Sequence, residues 1–273
     1  MKRTVKIASG LLVCLFIVGC NSYDRLLKSN DFDAKYAAAM RYYEANSYSK
    51  AIQLFENLTL YYRGRENAEN IAWFYAQALY KEKDYYTAAY QFKRFARQFP
   101  YSDRTEEAAY LSAYCKYLDS PPYSLDQSIT REAISEMETF VERWPRSLHI
   151  PEVNHYLDEM REKLLKKDYE IAYGYYFVEE YRAAYESLKH FISLYPEASM
   201  REDAIFYLLQ SGYRYAKDSR EDKQRERYQQ VLADYERFHS SLRTPSYVSN
   251  AADLYTKSRA ALSDIEAAQN ANN

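Results

Sequence analysis

The chain is nearly without glycine: five in 273 residues, two of them (Gly10 and Gly19) close to the start. Hairpins draw on glycine for their positive-φ turn positions, so a strand-rich fold is excluded and helices are expected. Cysteine is as scarce. Cys14 and Cys20 fall in the first twenty residues, which leaves Cys115 alone in the body and rules out an internal disulfide. Cys115 stands among Tyr110, Leu111, Tyr114 and Leu118 at helical spacing and reads as a small buried hydrophobe. The apolar stretch from Ile7 to Val18 is shorter than the ~20 residues a membrane-spanning helix requires. Catalytic constellations are missing too. The four histidines (His149, His155, His190, His239) show no metal-pair spacing, H-E-x-x-H and G-x-S-x-G are absent, and no glycine loop could cradle a phosphate. Glu106-Glu107 and Glu179-Glu180 are adjacent, so their side chains point apart and read as solvated faces. No catalytic residue, metal ligand or cofactor is expected, and the chain does not read as an enzyme.

What stands at the N-terminus is a processing signal, residues 1–19, to be set aside before fold reasoning. Lys2, Arg3 and Lys6 precede the apolar stretch, which ends Ile17-Val18-Gly19-Cys20. Small Gly19 before Cys20 resembles the lipobox cut by the lipoprotein signal peptidase, which implies that Cys20 becomes the lipid-bearing N-terminus. An ordinary signal peptide with a chance cysteine is the alternative. Each buried acyl methylene contributes ~0.8 kcal/mol, so two or three chains, palmitate among them, hold a protein on a membrane. Asn21 stands where Asp resembles an inner-membrane retention signal, and Asn21–Arg25 lacks an acidic export run. By that analogy the expected location is the periplasmic leaflet of an outer membrane. Cleavage leaves 34 basic against 39 acidic residues, a net charge of −5. Such mild acidity gives no footprint for nucleic acid, and Lys163, Lys166 and Lys167 read as a solvated helical face.

What is abundant is tyrosine, 32 copies, and a repeat organises it. The recurring phrase is an aromatic, two residues, Ala, three residues, a large apolar residue, two residues and another, often closed by aromatic-Pro. Its copies are Tyr48-Ala51-Phe55-Leu58; Tyr85-Ala88-Phe92-Phe95 with Phe99-Pro100; and Thr130-Ala133-Met137-Phe140 with Trp144-Pro145. Two more are Tyr181-Ala184-Leu188-Phe191 with Tyr195-Pro196, and the degraded Tyr228-Val231-Tyr235-Phe238. These offsets put four apolar positions on one helical face, and each proline ends its helix because the preceding residue is pushed out of the helical region. Ser102, Ser147 and Ser199 are expected N-caps for the helices that follow. A partner helix lies upstream of each phrase, marked by Ala39/Tyr42, Ala76/Leu79, Ala172/Tyr175 and Gly212/Tyr215, whose small residues let paired helices approach.

The pattern is similar to the tetratricopeptide repeat, and it predicts an all-α superhelix of about five helix pairs with a C-terminal capping helix; an unrelated helical bundle is the alternative. The repeat alanines and Val231 lie 37, 45, 51 and 47 residues apart, and the third unit carries an inserted loop from Asp119 to Gln127. The expected division is a linker over 20–31, repeats one to three over 32–146, repeats four and five with the capping helix over 147–267, and a frayed tail over 268–273. The fourth unit opens with a long helix from about Glu152 to Phe177. First helices of such pairs line a concave face, which places Tyr36, Met40, Tyr43, Trp73, Phe74, Gln77, Tyr80, Tyr110, Tyr114 and Tyr117 in a groove suited to an apolar or aromatic peptide. The bland alternative is that many of these rings pack between helices.

A lipobox, about five such units and the insertion Pro121-Pro122-Tyr123-Ser124-Leu125-Asp126-Gln127 resemble the BamD family of β-barrel assembly lipoproteins. The resemblance implies a scaffold whose N-terminal half receives C-terminal signals of unfolded outer-membrane proteins. It implies a C-terminal half that docks on the periplasmic domains of the barrel subunit BamA beside other assembly subunits. Arg201, at the head of a first helix, falls where that family places an arginine contacting BamA. The high tyrosine content and longer fifth repeat depart from the better-known members. Two other roles stay open: a repeat lipoprotein coordinating envelope or division complexes, and a glycan-uptake binding lipoprotein. The first usually carries an N-terminal coiled coil, and the second is about twice as long.

Overall fold

The structure, a computed structural model, describes residues 22–271. The leader, Cys20 and residues 272–273 lie outside the described residues. Every regular element among them is helical. Residues 22–28 form a short helix of about two turns, followed by the pairs α1 (Phe32–Glu44) with α2 (Tyr48–Tyr61), α3 (Ala68–Lys81) with α4 (Tyr85–Gln98), and α5 (Thr105–Asp119) with α6 (Ser128–Arg143). Then come α7 (Ile150–Phe177), α8 (Tyr181–Leu194), α9 (Arg201–Lys217), α10 (Glu221–Phe238) and α11 (Pro245–Ala271). This is the tetratricopeptide-like all-α repeat fold that the periodicity predicts. The closing helix runs through Ala271, so the tail expected to fray from 268 is helical that far.

By packing the chain divides into two compact units, each with its own core. Among the described residues, one takes in 22–121 with Asp126–Met160; the other takes in Pro122–Leu125 and 161–271. In the first unit the repeat positions are the core: Ala51, Phe55 and Leu58, then Ala88, Phe92 and Phe95, then Ala133, Met137 and Phe140, all essentially without exposure. Small residues of the first helices (Ala38, Ala39, Ala76, Ala78, Ala113) face them. Alanine against a large ring is the arrangement that brings helices close at crystal-like density. Each buried phenylalanine contributes ~1.5–3 kcal/mol through its removal from water. In the second unit the core gathers Ala184, Leu188 and Phe191 against Ala204, Ile205 and Leu208. Gly212 is there for the reason the sequence suggests: a Cβ would meet the Tyr185 ring and Val231 Cγ2 at 3.2 Å. Cys115 is fully buried, and burial pushes its thiol up to about 12, far from a reactive thiolate.

The turns repeat as faithfully as the helices. Phe99, Trp144 and Tyr195, each before a proline, close α4, α6 and α8 at φ between −121° and −126° with ψ between 62° and 69°. That is the non-helical region to which the following proline ring confines them. Asn46, Lys83 and Glu179, at φ 56°, 67° and 62°, turn the first helix of a pair into the second. Asp31 and Asp84 cap α1 and α4 by accepting the N–H of Ala34 and Thr87. The three serines do not cap as expected. Ser102 and Ser147 accept N–H groups of Arg104 and His149 in the turns ahead of the helices, and the Ser199 hydroxyl donates to Glu162.

Two other expectations are corrected. The described part of the expected linker, residues 22–31, is not a free connection: Tyr23 is buried, stands edge-on to Tyr42 at 5.5 Å, and donates to Lys50 O at 2.9 Å. The lysines of α7 are not simply solvated either. Lys167 Nζ donates to the carbonyls of Leu125 (2.6 Å) and Tyr123 (3.2 Å), and Lys166 lies over the Tyr123 ring at 4.5 Å. They pin part of the inserted loop onto the second unit.

Candidate functional site

Successive first helices of the first unit carry one triplet at i, i+4, i+7: Tyr36-Met40-Tyr43 on α1, Trp73-Gln77-Tyr80 on α3, and Tyr110-Tyr114-Tyr117 on α5. Those offsets return to the same helical face, so the three helices set their triplets side by side. Nine of the ten groove candidates are half-buried, each with part of its side chain in solvent. Tyr43 meets Phe74 edge-on at 5.2 Å, and Tyr80 lies 6.5 Å from Tyr114. Tyr114 and Tyr117 stack at 5.9 Å, and both rings reach Tyr156 of α7, at 5.2 and 4.4 Å. Offset and tilted contacts of this kind fix ring orientation while leaving faces available.

Tyr110 is the exception. It is buried, with His149 stacked on it at 3.8 Å, Tyr114 beyond at 5.7 Å, and its hydroxyl donated to Glu152 at 3.0 Å. Glu107, read as solvated, instead meets His149 Nε2 at 2.9 Å. Burial and then the Glu152 bond push the Tyr110 phenol far above its ordinary value, so this ring supports the stripe from below. Trp73 also leans inward, against Phe92 (5.8 Å) and Phe95 (5.4 Å), with the Arg104 guanidinium over its ring. Burial and the Glu159 carboxylate raise Tyr117 to about 12, so it is a neutral donor at physiological pH. The stripe is therefore a surface of neutral rings with hydroxyls along it, edged by the Glu159 carboxylate and the Arg104 guanidinium.

Sequence reasoning missed Tyr156, because α7 runs on for 28 residues and its repeat phase is not set by a nearby turn. It also missed Tyr169-Tyr173-Tyr176 in the second unit, although the i, i+4, i+7 spacing is the one found three times before. Tyr173 and Tyr176 close around Tyr207 at 4.7 and 4.8 Å, and Tyr176 donates to Gln210 at 2.6 Å. Arg201 is the first residue of α9, half-exposed, with its guanidinium 5.8 Å from the Phe238 ring. One of its nitrogens, Nη1, is buried without a hydrogen-bond partner among the described residues.

Among the described residues no group of His, Cys, Asp and Glu could hold a metal ion, and no helix is long and apolar enough to cross a membrane. Residues 29–228 match the family YfiO, described as an outer membrane lipoprotein. No curated protein matches the chain. Two solved structures are similar at a distance. One is a MamA RS-1 double mutant, at 15% identity, TM-score 0.32, covering 78% of this chain and 98% of that one. The other is a variant of a putative kinesin light chain from Podosopora anserina with nearly identical TPR-like repeats, at 13% identity, TM-score 0.32, covering 76% and 96%. At those scores neither adds to the argument.

Proposed function

Because the chain belongs to the YfiO family of outer membrane lipoproteins, the BamD family, we propose that it is a non-enzymatic scaffold of the β-barrel assembly machinery, lipid-anchored through Cys20 in the periplasmic leaflet. Its first unit receives aromatic C-terminal signals of unfolded outer-membrane proteins, and the second docks the periplasmic domains of BamA. The observation that carries the reading is the aromatic stripe: half-exposed Tyr43, Phe74, Tyr80, Tyr114, Tyr117 and Tyr156 on neighbouring first helices. Rings held in place offer contact area at little entropic cost and accept an extended peptide whose own side chains are aromatic. Arg201 supports the docking half by its place, half-exposed as the first residue of α9, where the accessible part of its guanidinium offers a partner's carboxylate a charge-assisted hydrogen bond.

The test is peptide binding. Replacing Tyr80, Tyr114 and Tyr117 with alanine together is expected to weaken binding of a barrel protein's C-terminal peptide by about tenfold, typical of removing an aromatic anchor. Unchanged affinity in the triple variant removes the substrate half of the reading. For docking, mild-detergent pull-down recovers a large barrel protein with periplasmic repeats, and Arg201→Glu loses it. Depletion of the protein lowers folded outer-membrane porins; undiminished porins contradict the assignment.

A further inference from the structure

The opposite face of α5 carries a second groove. At 100° per residue, Ser112 and Asp119 lie nearly half a turn from the mean direction of Tyr110, Tyr114 and Tyr117, and Ala109 and Lys116 about a third of a turn; the four form the floor of a cleft of about 880 Å³ between α4 and α6. Along α4, Tyr86, Tyr90, Lys93 and Arg97 follow one another at i, i+4, i+7, i+11 and form one wall. Tyr86 and Tyr90 are 75% and 60% exposed, an unusual state for rings on a helix with a well-made core on its other side. From Tyr86 to Arg97 the wall is ~16 Å long at 1.5 Å per residue, room for about five residues of extended chain at 3.3 Å each.

The charges are sorted along it. In the middle, Glu136 takes Lys93 at 2.7 Å, Lys116 at 2.9 Å and the Ser112 hydroxyl at 3.0 Å, and Lys116 also meets Glu132 at 2.6 Å. These groups satisfy one another. Burial alone would raise the Glu136 carboxyl, yet the two lysines hold it below its usual range, so it stays ionised and engaged. The same contacts give direction: Ser112 with Glu136 and Lys116 with Glu132 mean that α6 runs antiparallel to α5. Arg143, at the C-terminal end of α6, therefore lies toward the start of α5, the end to which the short connection from α4 also brings Arg97. Asp119 sits at the far end of α5. Arg94, Arg97 and Arg143 have no carboxylate within ion-pair distance among the described residues, and Arg143 rests on the Trp144 ring at 4.6 Å. In a chain with a net charge of −2, three uncompensated guanidiniums around one apolar cleft stand against the trend.

We infer that this cleft docks a short acidic and aromatic segment of a partner protein, with carboxylates on Arg94, Arg97 and Arg143 and apolar side chains over the half-exposed Ala109, Ile129 and Trp144. The inference stands apart from the proposed function, because it uses the other face of α5 and none of the stripe residues. Arginine forks match carboxylates two bonds at a time, and the exposed Tyr86 and Tyr90 supply the walls. A concave cleft with a carboxylate-bearing centre suits a peptide chain better than a flat anionic membrane.

The probe is a fluorescein-labelled hexapeptide of alternating Asp and Phe, tested with the mature chain beside the same peptide with Asn for Asp. Vesicles of phosphatidylglycerol and phosphatidylcholine in equal parts are the third arm. The acidic peptide is expected to bind with a salt-dependent affinity. Arg94→Glu, Arg97→Glu and Arg143→Glu together weaken it about tenfold, the scale of three partly exposed charge-assisted contacts, and the Asn peptide is weakened similarly. The preference for the Asp over the Asn peptide is expected to be the same in Tyr114→Ala with Tyr117→Ala, which separates this site from the stripe, where an aromatic peptide binds whatever its charge. Equal binding of either peptide, or of wild type and triple variant, overturns the inference. So does charge-reversal-sensitive binding to vesicles without peptide binding, which assigns the arginines to the membrane. If charge reversal disturbs the circular dichroism melt, the three Arg→Gln changes carry the same comparison.

Discussion

Asn46, Lys83 and Glu179 show what a chain with so little glycine does at its turns. All three occupy left-handed backbone, where a Cβ costs ~1–2 kcal/mol, and only asparagine is at home there. The helices on either side are fixed by packing, so the turn accepts the strain. Glu179→Gly and Lys83→Gly are each expected to raise stability by about 0.5–1 kcal/mol, the relief of that strain less the entropy glycine adds to the unfolded chain. A thermal melt checks this, and an unchanged or lower midpoint contradicts it. Gly212 is the reverse case. With Tyr185 and Val231 already 3.2 Å from a notional Cβ, Gly212→Val overpacks the second core and costs ~1–3 kcal/mol. A chemical-denaturation midpoint equal to wild type would rule out the close approach.

At the scale of the element, two contacts hold segments whose own sequence gives them no reason to stay. The Pro122–Leu125 stretch is fixed by Lys167, whose ammonium donates to two of its carbonyls. Lys167→Ala is expected to leave the helices intact and to speed chymotryptic cleavage after Tyr123; an unchanged cleavage rate would show the stretch held by other means. The turn before α11 is held by Glu202, which accepts the N–H groups of Thr244 (2.6 Å) and Arg243 (2.7 Å). The Thr244 bond and then the Arg243 bond keep the Glu202 carboxyl below its usual range. A depressed carboxylate contributes stability that is fully present above its unfolded value, about 4.3, and is lost as pH falls through the lower folded value. Wild type is therefore expected to lose more thermal stability between pH 5 and pH 3 than Glu202→Ala does. Parallel losses would remove Glu202 from the acid response.

For the molecule as a whole, the informative feature is how soon packing begins after the proposed lipid. Tyr23 lies three residues beyond Cys20 and already belongs to the first core. Three residues of chain reach at most ~11 Å, so anchorage at Cys20 keeps the first repeat at the membrane surface. Cys20→Ala is expected to release the protein into the soluble periplasmic fraction with an unchanged helical spectrum, because Tyr23 finds Lys50 and Tyr42 without any lipid. Membrane retention of that variant removes the lipid anchor, and loss of helicity would mean that the anchor also supports the fold. Tyr23→Ala keeps the protein on the membrane but lowers its melting temperature.

The sequence by itself determined the class of fold, the pairing of helices and most of the core. The phrase that repeats from Tyr48 to Phe238 is a statement about one helical face, and burying such faces against each other has few solutions. It also marked the stripe, since first-helix triplets recur at constant spacing wherever the turns keep phase. Only the tertiary structure decided which of those rings remain in reach of a ligand. Tyr110 looks like Tyr114 in the sequence, yet His149 covers it, and Trp73 turns toward the α4 phenylalanines with only part of its side chain in solvent. The cleft on the far side of α5 was not legible at all. Its charges lie on three helices, and whether Lys116 or Arg97 is left over depends on which carboxylate stands within hydrogen-bond reach. That is a property of distance in space, which spacing along the chain does not encode.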